Sequence, residues 1–245
     1  MRGLVFACGP LVLAACSIGG GGDADANEPG IAGQGTGNAR TYAVVDFDSI
    51  DLRGSDDVDV RVGSGFSVRA EGEPDVLDRL RITRDGSRLR IDRKGGSGFN
   101  WGGGSAKLLV TMPRIAGAKV SGSGDIRVDR AEGARFDGGI AGSGGLRVES
   151  LQVDEARLAI AGSGDMAAKG IAQRLDVSIA GSGSLDAPDL KTKSAKVSVA
   201  GSGDVRAELD GEGDVRIAGS GDVDLGKSAR CTVRANGSGR ARCGG

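Results

Sequence analysis

Histidine is absent from this chain of 245 residues, and Phe, Trp and Tyr together make up 3% of it. The first absence removes the commonest general base and metal-ligand side chain. The second leaves few rings for stacking on nucleobases or sugars. Neither charge sign dominates, with 32 Lys and Arg against 33 Asp and Glu, so no bulk field steers the protein to nucleic acid. The N-terminal apolar stretch, Gly3 to Leu13, is too short to span a bilayer. Cysteine occurs only four times.

Glycine is what the chain has in excess: 46 residues, about 19% against a usual value near 7%. Such content is compatible with disorder, but regular apolar ladders argue for a fold. From Gly122 onward the tripeptide Gly-Ser-Gly begins at Gly122, Gly142, Gly162, Gly181, Gly201, Gly219 and Gly237, in steps of 20, 20, 19, 20, 18 and 18 residues. A fixed period of this size marks a solenoid, one coil per repeat.

Apolar residues alternate on both sides of the triplet. The fourth and second positions before it include Leu158 and Ile160, Val177 and Ile179, Val197 and Val199, and Val215 and Ile217. The second position after it reads Ile126, Leu146, Met166, Leu185, Val205, Val223 and Ala241. Period-two alternation predicts strands with one buried face, and the triplet predicts the corner between them. A further apolar position recurs at Ala131, Leu151, Ile171 and Leu190, with Leu209 one step early, so each coil is expected to have three sides. The predicted fold is all-β: a right-handed parallel β-helix of coils about 19 residues long, about six of them stacked into a column of roughly 29 Å. Five residues before each triplet stand Gly117, Asp137, Arg157, Asp176, Lys196, Asp214 and Thr232. Stacked in register, these would alternate in charge sign from Asp137 to Asp214.

Residues 1–15 read as a signal peptide and lie outside the fold. Leu13-Ala14-Ala15-Cys16 reads as a lipobox, similar to the processing site of bacterial lipoproteins. Cys16 would then carry the lipid, and Ser17 after it would suit outer-membrane sorting. An ordinary secretory signal with an incidental cysteine is the other reading. Residues 16–40, rich in Gly, Ala, Asp and Asn, are expected to be a flexible tether. With Cys8 lost and Cys16 lipidated, Cys231 and Cys243 remain, in an oxidising compartment. Both fall on inward positions and are expected to pair across the final coil; two free core thiols are the alternative.

Residues 41–245 are expected to form one solenoid domain, with 41–115 as cap and first coils and 116–245 as the triplet repeats. Within 41–115, strands are expected over Ala43–Phe47, Val58–Val62, Phe66–Ala70, Leu89–Ile91 and Lys107–Met112, and a short helix over Glu73–Leu80. Gly95 to Gly104 is a glycine-rich loop holding Trp101. After Asp224 the chain carries Lys227, Arg230, Arg234, Arg240 and Arg242 and no acid. These cations would guard an open end against stacking, or form a patch for an anionic glycan or lipid head group.

Phe47-Asp48-Ser49-Ile50, Asp57-Val58-Asp59-Val60 with Gly63 and Phe66-Ser67-Val68, Leu89-Arg90-Ile91, and Leu109-Val110-Thr111-Met112-Pro113 ahead of Val120-Ser121-Gly122-Ser123-Gly124-Asp125-Ile126 follow one another in a distinctive order. In that order, over about residues 44 to 240, the chain resembles the bacterial auto-transporter adhesin, head GIN domain family. The resemblance implies a β-helix-like fold, export and an adhesin-like role, and it brings no catalytic residues. The chain departs from the family name in having a lipobox and no autotransporter barrel.

Aspartate follows the triplet at Asp125, Asp165, Asp204 and Asp222. This is similar to calcium β-roll repeats, but those need a period of nine and converging acids, whereas here Gly145 and Ser184 interrupt the column. The simpler expectation is an acid bonded to its local turn backbone. Asp204 and Asp222 are adjacent enough in the stack to suggest paired carboxylates of a polysaccharide lyase or hydrolase. Against that, no long loops exist to build a cleft. The glycine runs lack the Lys-Ser/Thr of a phosphate-binding loop. The expectation is therefore a non-catalytic, lipid-anchored cell-envelope protein without cofactor or metal. It would bind an envelope glycan or envelope protein, not nucleic acid, and attach to the outer membrane through Cys16.

Overall fold

The computed structural model describes residues 29–94 and 104–244. Cys16 and Trp101 lie outside the described residues. The chain forms a β-solenoid of about 6 turns. The first strands are β1 (Gly33–Gln34), β2 (Ala39–Tyr42), β3 (Ser49–Gly54), β4 (Asp57–Val62) and β5 (Ser67–Glu71). Helix α1 (Pro74–Arg79) follows, then β6 (Leu80–Asp85), β7 (Arg88–Arg93), β8 (Lys107–Met112), β9 (Gly117–Gly122) and β10 (Asp125–Val128). The regular coils are β11 (Ala131–Gly142), β12 (Gly145–Gly162), β13 (Asp165–Gly181), β14 (Ser184–Gly201) and β15 (Val205–Gly219), closed by β16 (Val223–Asp224), β17 (Arg230–Gly237) and β18 (Ala241–Arg242).

The triplets stack in register. Gly122, Gly142, Gly162, Gly181, Gly201, Gly219 and Gly237 align one on another, and so do the apolar residues before them. Leu158, Ile160, Val177, Ile179, Val197, Val199, Val215 and Ile217 are buried as the alternation requires. The charge column from Asp137 to Asp214 is likewise in register. Its shortest ion pairs, however, run along strands: Arg135–Asp137 at 2.8 Å, Arg157–Glu155 at 2.9 Å and Arg216–Asp214 at 2.7 Å, while Arg234 of the last coil reaches Asp214 at 3.6 Å. Side chains two apart on one face of a strand sit close enough to pair, and Arg is long enough to bend back. The hydrogen bond from Arg157 holds the Glu155 carboxyl below its usual range.

The coil order departs from chain order at the N-terminal end. Strand β3 pairs in parallel with both β7 and β9, and β4 with both β8 and β10. The first coil is thus sandwiched between two later ones. The chain makes β3 and β4, leaves through β5, α1 and β6, and lays β7 and β8 on the outer side. It then crosses back to start the regular stack. The outer end is finished by antiparallel strands: β6 on β7, β5 on β8, β2 on β5 and β1 on β2. Helix α1 buries Val76 and Leu77 at this end.

Three local expectations are corrected. Ala43–Phe47 is not a strand. The chain there turns from the antiparallel cap into the first coil, with Asp46 at φ 61, and it buries Val44 and Phe47 while Val45 stays exposed. The tether boundary at 40 also falls inside folded structure. Strands β1 and β2 dock on the cap, and Ile31 donates its backbone N–H to the Ile82 carbonyl at 2.7 Å. Ile171 is not part of the third apolar side. Gly170 aligns with Leu151 and Leu190, because that coil is one residue short and bulges, so Ile171 lies exposed beside Gln152 and Lys191, while Ala172 is buried in the next column with Val153 and Thr192.

Cys231 and Cys243 are joined across the last coil, twelve residues apart, and pack against the end of the core. Closing a loop of this size stabilises by about 3 kcal/mol in the chain-entropy model.

Candidate binding face

After each corner comes a short strand whose inward residues fill the core: Val58 and Val60, Ile126 and Val128, Leu146 and Val148, Met166 and Ala168. Its two outward positions build a charged face along the solenoid. One column runs Lys107, Asp57, Asp125, Gly145, Asp165, Ser184, and continues through Asp204, Asp222 and Arg240. The neighbouring column runs Asp59, Arg127, Arg147, Ala167, Asp186, Arg206, Asp224 and Arg242.

The acids of the first column are occupied. Asp125 accepts the Gly145 backbone N–H at 2.7 Å. Asp165 accepts both the N–H and the hydroxyl of Ser184, at 3.2 and 2.6 Å. Asp204 accepts from the Asp222 N–H at 2.8 Å, and Asp222 from the Arg240 N–H at 2.9 Å. Each carboxylate therefore ties its own coil to the next one. Sequence reading assigned these acids to their own turn and missed this inter-coil bond. A signal for it stands after Asp125 and Asp165, which the small residues Gly145 and Ser184 follow in the stack. Gly145 is the clearest case, because a Cβ there would stand 2.7 Å from the Asp125 carboxylate oxygen.

Asp204 and Asp222, the pair considered for glycosidic chemistry, do lie together. They line a cavity of about 660 Å³ with Arg206, Asp224, Arg240 and Arg242. Each commits one oxygen to a backbone N–H, which is what a structural carboxylate does. No cluster of three or more His, Cys, Asp or Glu suited to a metal ion occurs among the described residues.

The second column is more loosely paired. Lys107 meets Asp59 at 2.8 Å, and Arg127 meets the same carboxylate at 3.9 Å. Arg206 meets Asp186 at 3.7 Å and Arg242 meets Asp224 at 3.5 Å. Arg147 stands between them, exposed and without an ion-pair partner among the described residues. Beside it the small residues Gly145 and Ala167 leave a depression. The result is a trough of about 640 Å³ whose walls include Asp125, Arg127, Arg147, Asp165 and Asp186. The exposed large apolar residues, Val45, Ile171 and Val233, all lie elsewhere.

Of the charged residues that line this trough, only Asp125 and Asp165 stand out in the sequence as candidates for chemistry. Arg127 and Arg147 are two of many arginines in the chain, and only the register puts them side by side.

Residues 46–229 match the family model described as "Putative auto-transporter adhesin, head GIN domain". No curated protein matches the chain. Among solved structures, a "putative adhesin" from Bacteroides fragilis superposes with a TM-score of 0.75 at 19% identity, covering 86% of this chain and 99% of that one. A "putative adhesin" from Parabacteroides distasonis gives 0.67 at 20% identity, covering 85% and 97%. A "Putative lipid binding protein" from the same organism gives 0.62 at 21% identity, covering 86% and 98%. At these identities the likeness is one of fold.

Proposed function

We propose, for a chain that belongs to the auto-transporter adhesin, head GIN domain family, a non-catalytic cell-envelope role in which the charged trough holds an anionic glycan. The carrying observation is Arg147, a solvent-facing guanidinium with no ion partner among the described residues, set in a trough of about 640 Å³. A guanidinium offers paired N–H donors to a carboxylate or sulfate, while neighbouring carboxylates accept from hydroxyls. The trough lacks an apolar centre of the kind protein interfaces bury, which favours a glycan over an envelope protein. Repetition along the solenoid axis suits a polymer, because adjacent coils offer similar rungs.

The test is an array of envelope and extracellular polysaccharides probed with the purified protein. Saturable binding to an acidic polymer is expected, weakening with salt. Arg147→Glu should reduce it by about tenfold or more, the loss of one charge-assisted contact. Equal binding by that variant, or no binding to any acidic polymer, overturns the reading.

The same proposal places the protein on a membrane through a lipid at Cys16. What supports this is the Leu13-Ala14-Ala15-Cys16 sequence behind a short apolar segment. Metabolic labelling with a fatty-acid analogue should mark the wild type and leave Cys16→Ser unlabelled. Label retained in the variant would refute the anchor.

A further inference from the structure

The two ends of the solenoid are finished differently. The N-terminal end is covered by antiparallel strands and α1. At the other end β17 pairs with β15 on one side and β18 with β16, and neither has a partner on its far side among the described residues. An eight-residue strand edge with unpaired N–H and C=O groups is a template for one more strand.

The core is uncovered there as well. Val215 and Ile217 are fully buried, but the residues stacked on them, Val233 and Ala235, are exposed, Val233 to 43%. The inward positions of the last coil thus await a further layer.

The charge is one-sided. Arg234 reaches back to Asp214 at 3.6 Å and Arg242 to Asp224 at 3.5 Å, both on the preceding coil. Arg230 and Arg240 are exposed, and their side chains make no ion pair among the described residues. With no acid after Asp224, the last coil presents an excess of arginine at alternate positions.

We propose that the last coil is a docking edge for an acidic, extended polypeptide, which adds to β17 and β18 as one more rung. Such a strand would set acids opposite Arg230, Arg234, Arg240 and Arg242, and apolar residues over Val233, Ala235 and Ala241. Backbone bonding supplies affinity and the alternating side chains supply selectivity. A second copy of this chain is a poor occupant, because two such edges bring arginine against arginine. Its other end is already closed by antiparallel strands. An anionic glycan could neutralise the arginines but leaves the backbone groups and Val233 unserved. The same cations therefore exclude self-stacking and admit a strand of opposite charge. This edge lies beyond the Arg147 trough and does not depend on it.

The experiment uses the full chain and a fluorescent synthetic peptide that alternates Asp with Val. Fluorescence anisotropy should show saturable binding. Arg230→Ser with Arg234→Ser should weaken it at least about tenfold. Both side chains are exposed, so the melting temperature serves as the check on folding. Hydrogen exchange on the wild type should show new protection at backbone amides of β17. A peptide of the same composition with its acids in one block should bind much more weakly. Equal binding of the block peptide, or binding without β17 protection, reduces the contact to general electrostatics and overturns the proposal. Tighter binding of an acidic polysaccharide to the same arginines, or end-to-end association of the protein in sedimentation, overturns it too.

Discussion

Gly162→Ala should lower stability by about 4 kcal/mol and the melting temperature by roughly 12 °C. Gly162 sits at φ +126, where a side chain costs about 1–2 kcal/mol. A Cβ there would also fall on the Gly142 carbonyl oxygen of the previous coil. That oxygen accepts the N–H groups of Ser163 at 2.9 Å and Gly164 at 3.0 Å. Moving it aside weakens two hydrogen bonds at about 1 kcal/mol each and forces the corner apart. The control is Gly133→Ala. Gly133 has φ +134, but a Cβ there meets nothing within 4 Å. It keeps the backbone strain and lacks the collision, so its cost should be only about 1–2 kcal/mol. Thermal and denaturant unfolding of the two variants separates corner stacking from glycine conformation. If they lose stability equally, close stacking is not what selects glycine at the corners.

Asp56→Ala should cost about 3–5 kcal/mol, the range for breaking a buried pair from one side. Asp56 is fully buried where the outermost coils meet. Its carboxylate takes two hydrogen bonds from Arg93, at 3.1 and 2.5 Å, and the Ala106 backbone N–H at 2.8 Å. The hydrogen bond to Asp56 holds the Arg93 guanidinium above its ordinary pKa. Removing the carboxylate leaves a partly buried cation held only by the Gly104 carbonyl, and the buried Ala106 N–H without a partner. Asp56→Asn should lose less, because the amide oxygen still accepts from Ala106. Denaturant unfolding measures both, and hydrogen exchange should show the loss concentrated in β3, β7 and β8. An alanine variant as stable as the wild type would mean that the pair does not hold the outer coil in place.

Asp56 also shows why one corner was invisible in the sequence. Gly54 stacks under Gly122, and a Cβ on Gly124 would strike the Asp56 carbonyl, so Gly54-Ser55-Asp56 is a corner of the same column. Among the described residues no similar corner stacks on its outer side, so its third residue need not be glycine. On that side the Asp56 carboxylate bonds to Arg93 at the end of β7 and to the Ala106 N–H just before β8. The triplets spaced at the coil period begin at Gly122, so Gly54-Ser55-Asp56 falls outside the pattern.

The period, corners, apolar ladders and cap helix are properties of single coils or of the spacing between them. Residue order alone carries those, which is why the β-solenoid and its register were legible before any coordinates. The interleaving of β3 with β7 and β9 was not, because a parallel strand accepts any apolar neighbour of suitable length. Ile171 was misplaced because a one-residue bulge shifts the alternation without leaving a mark in composition. The acids after each triplet looked like turn residues, yet they bond to the coil above, a partner about twenty residues away in sequence. Arg147 became distinct from the other cations only when stacking showed which charges had partners; the arginines after Asp224 stood out in the sequence as a group, but stacking showed that Arg234 and Arg242 are paired with the preceding coil. Period and pattern established the scaffold; which charges stay free on it is a matter of distance between coils, and that exists only in the folded molecule.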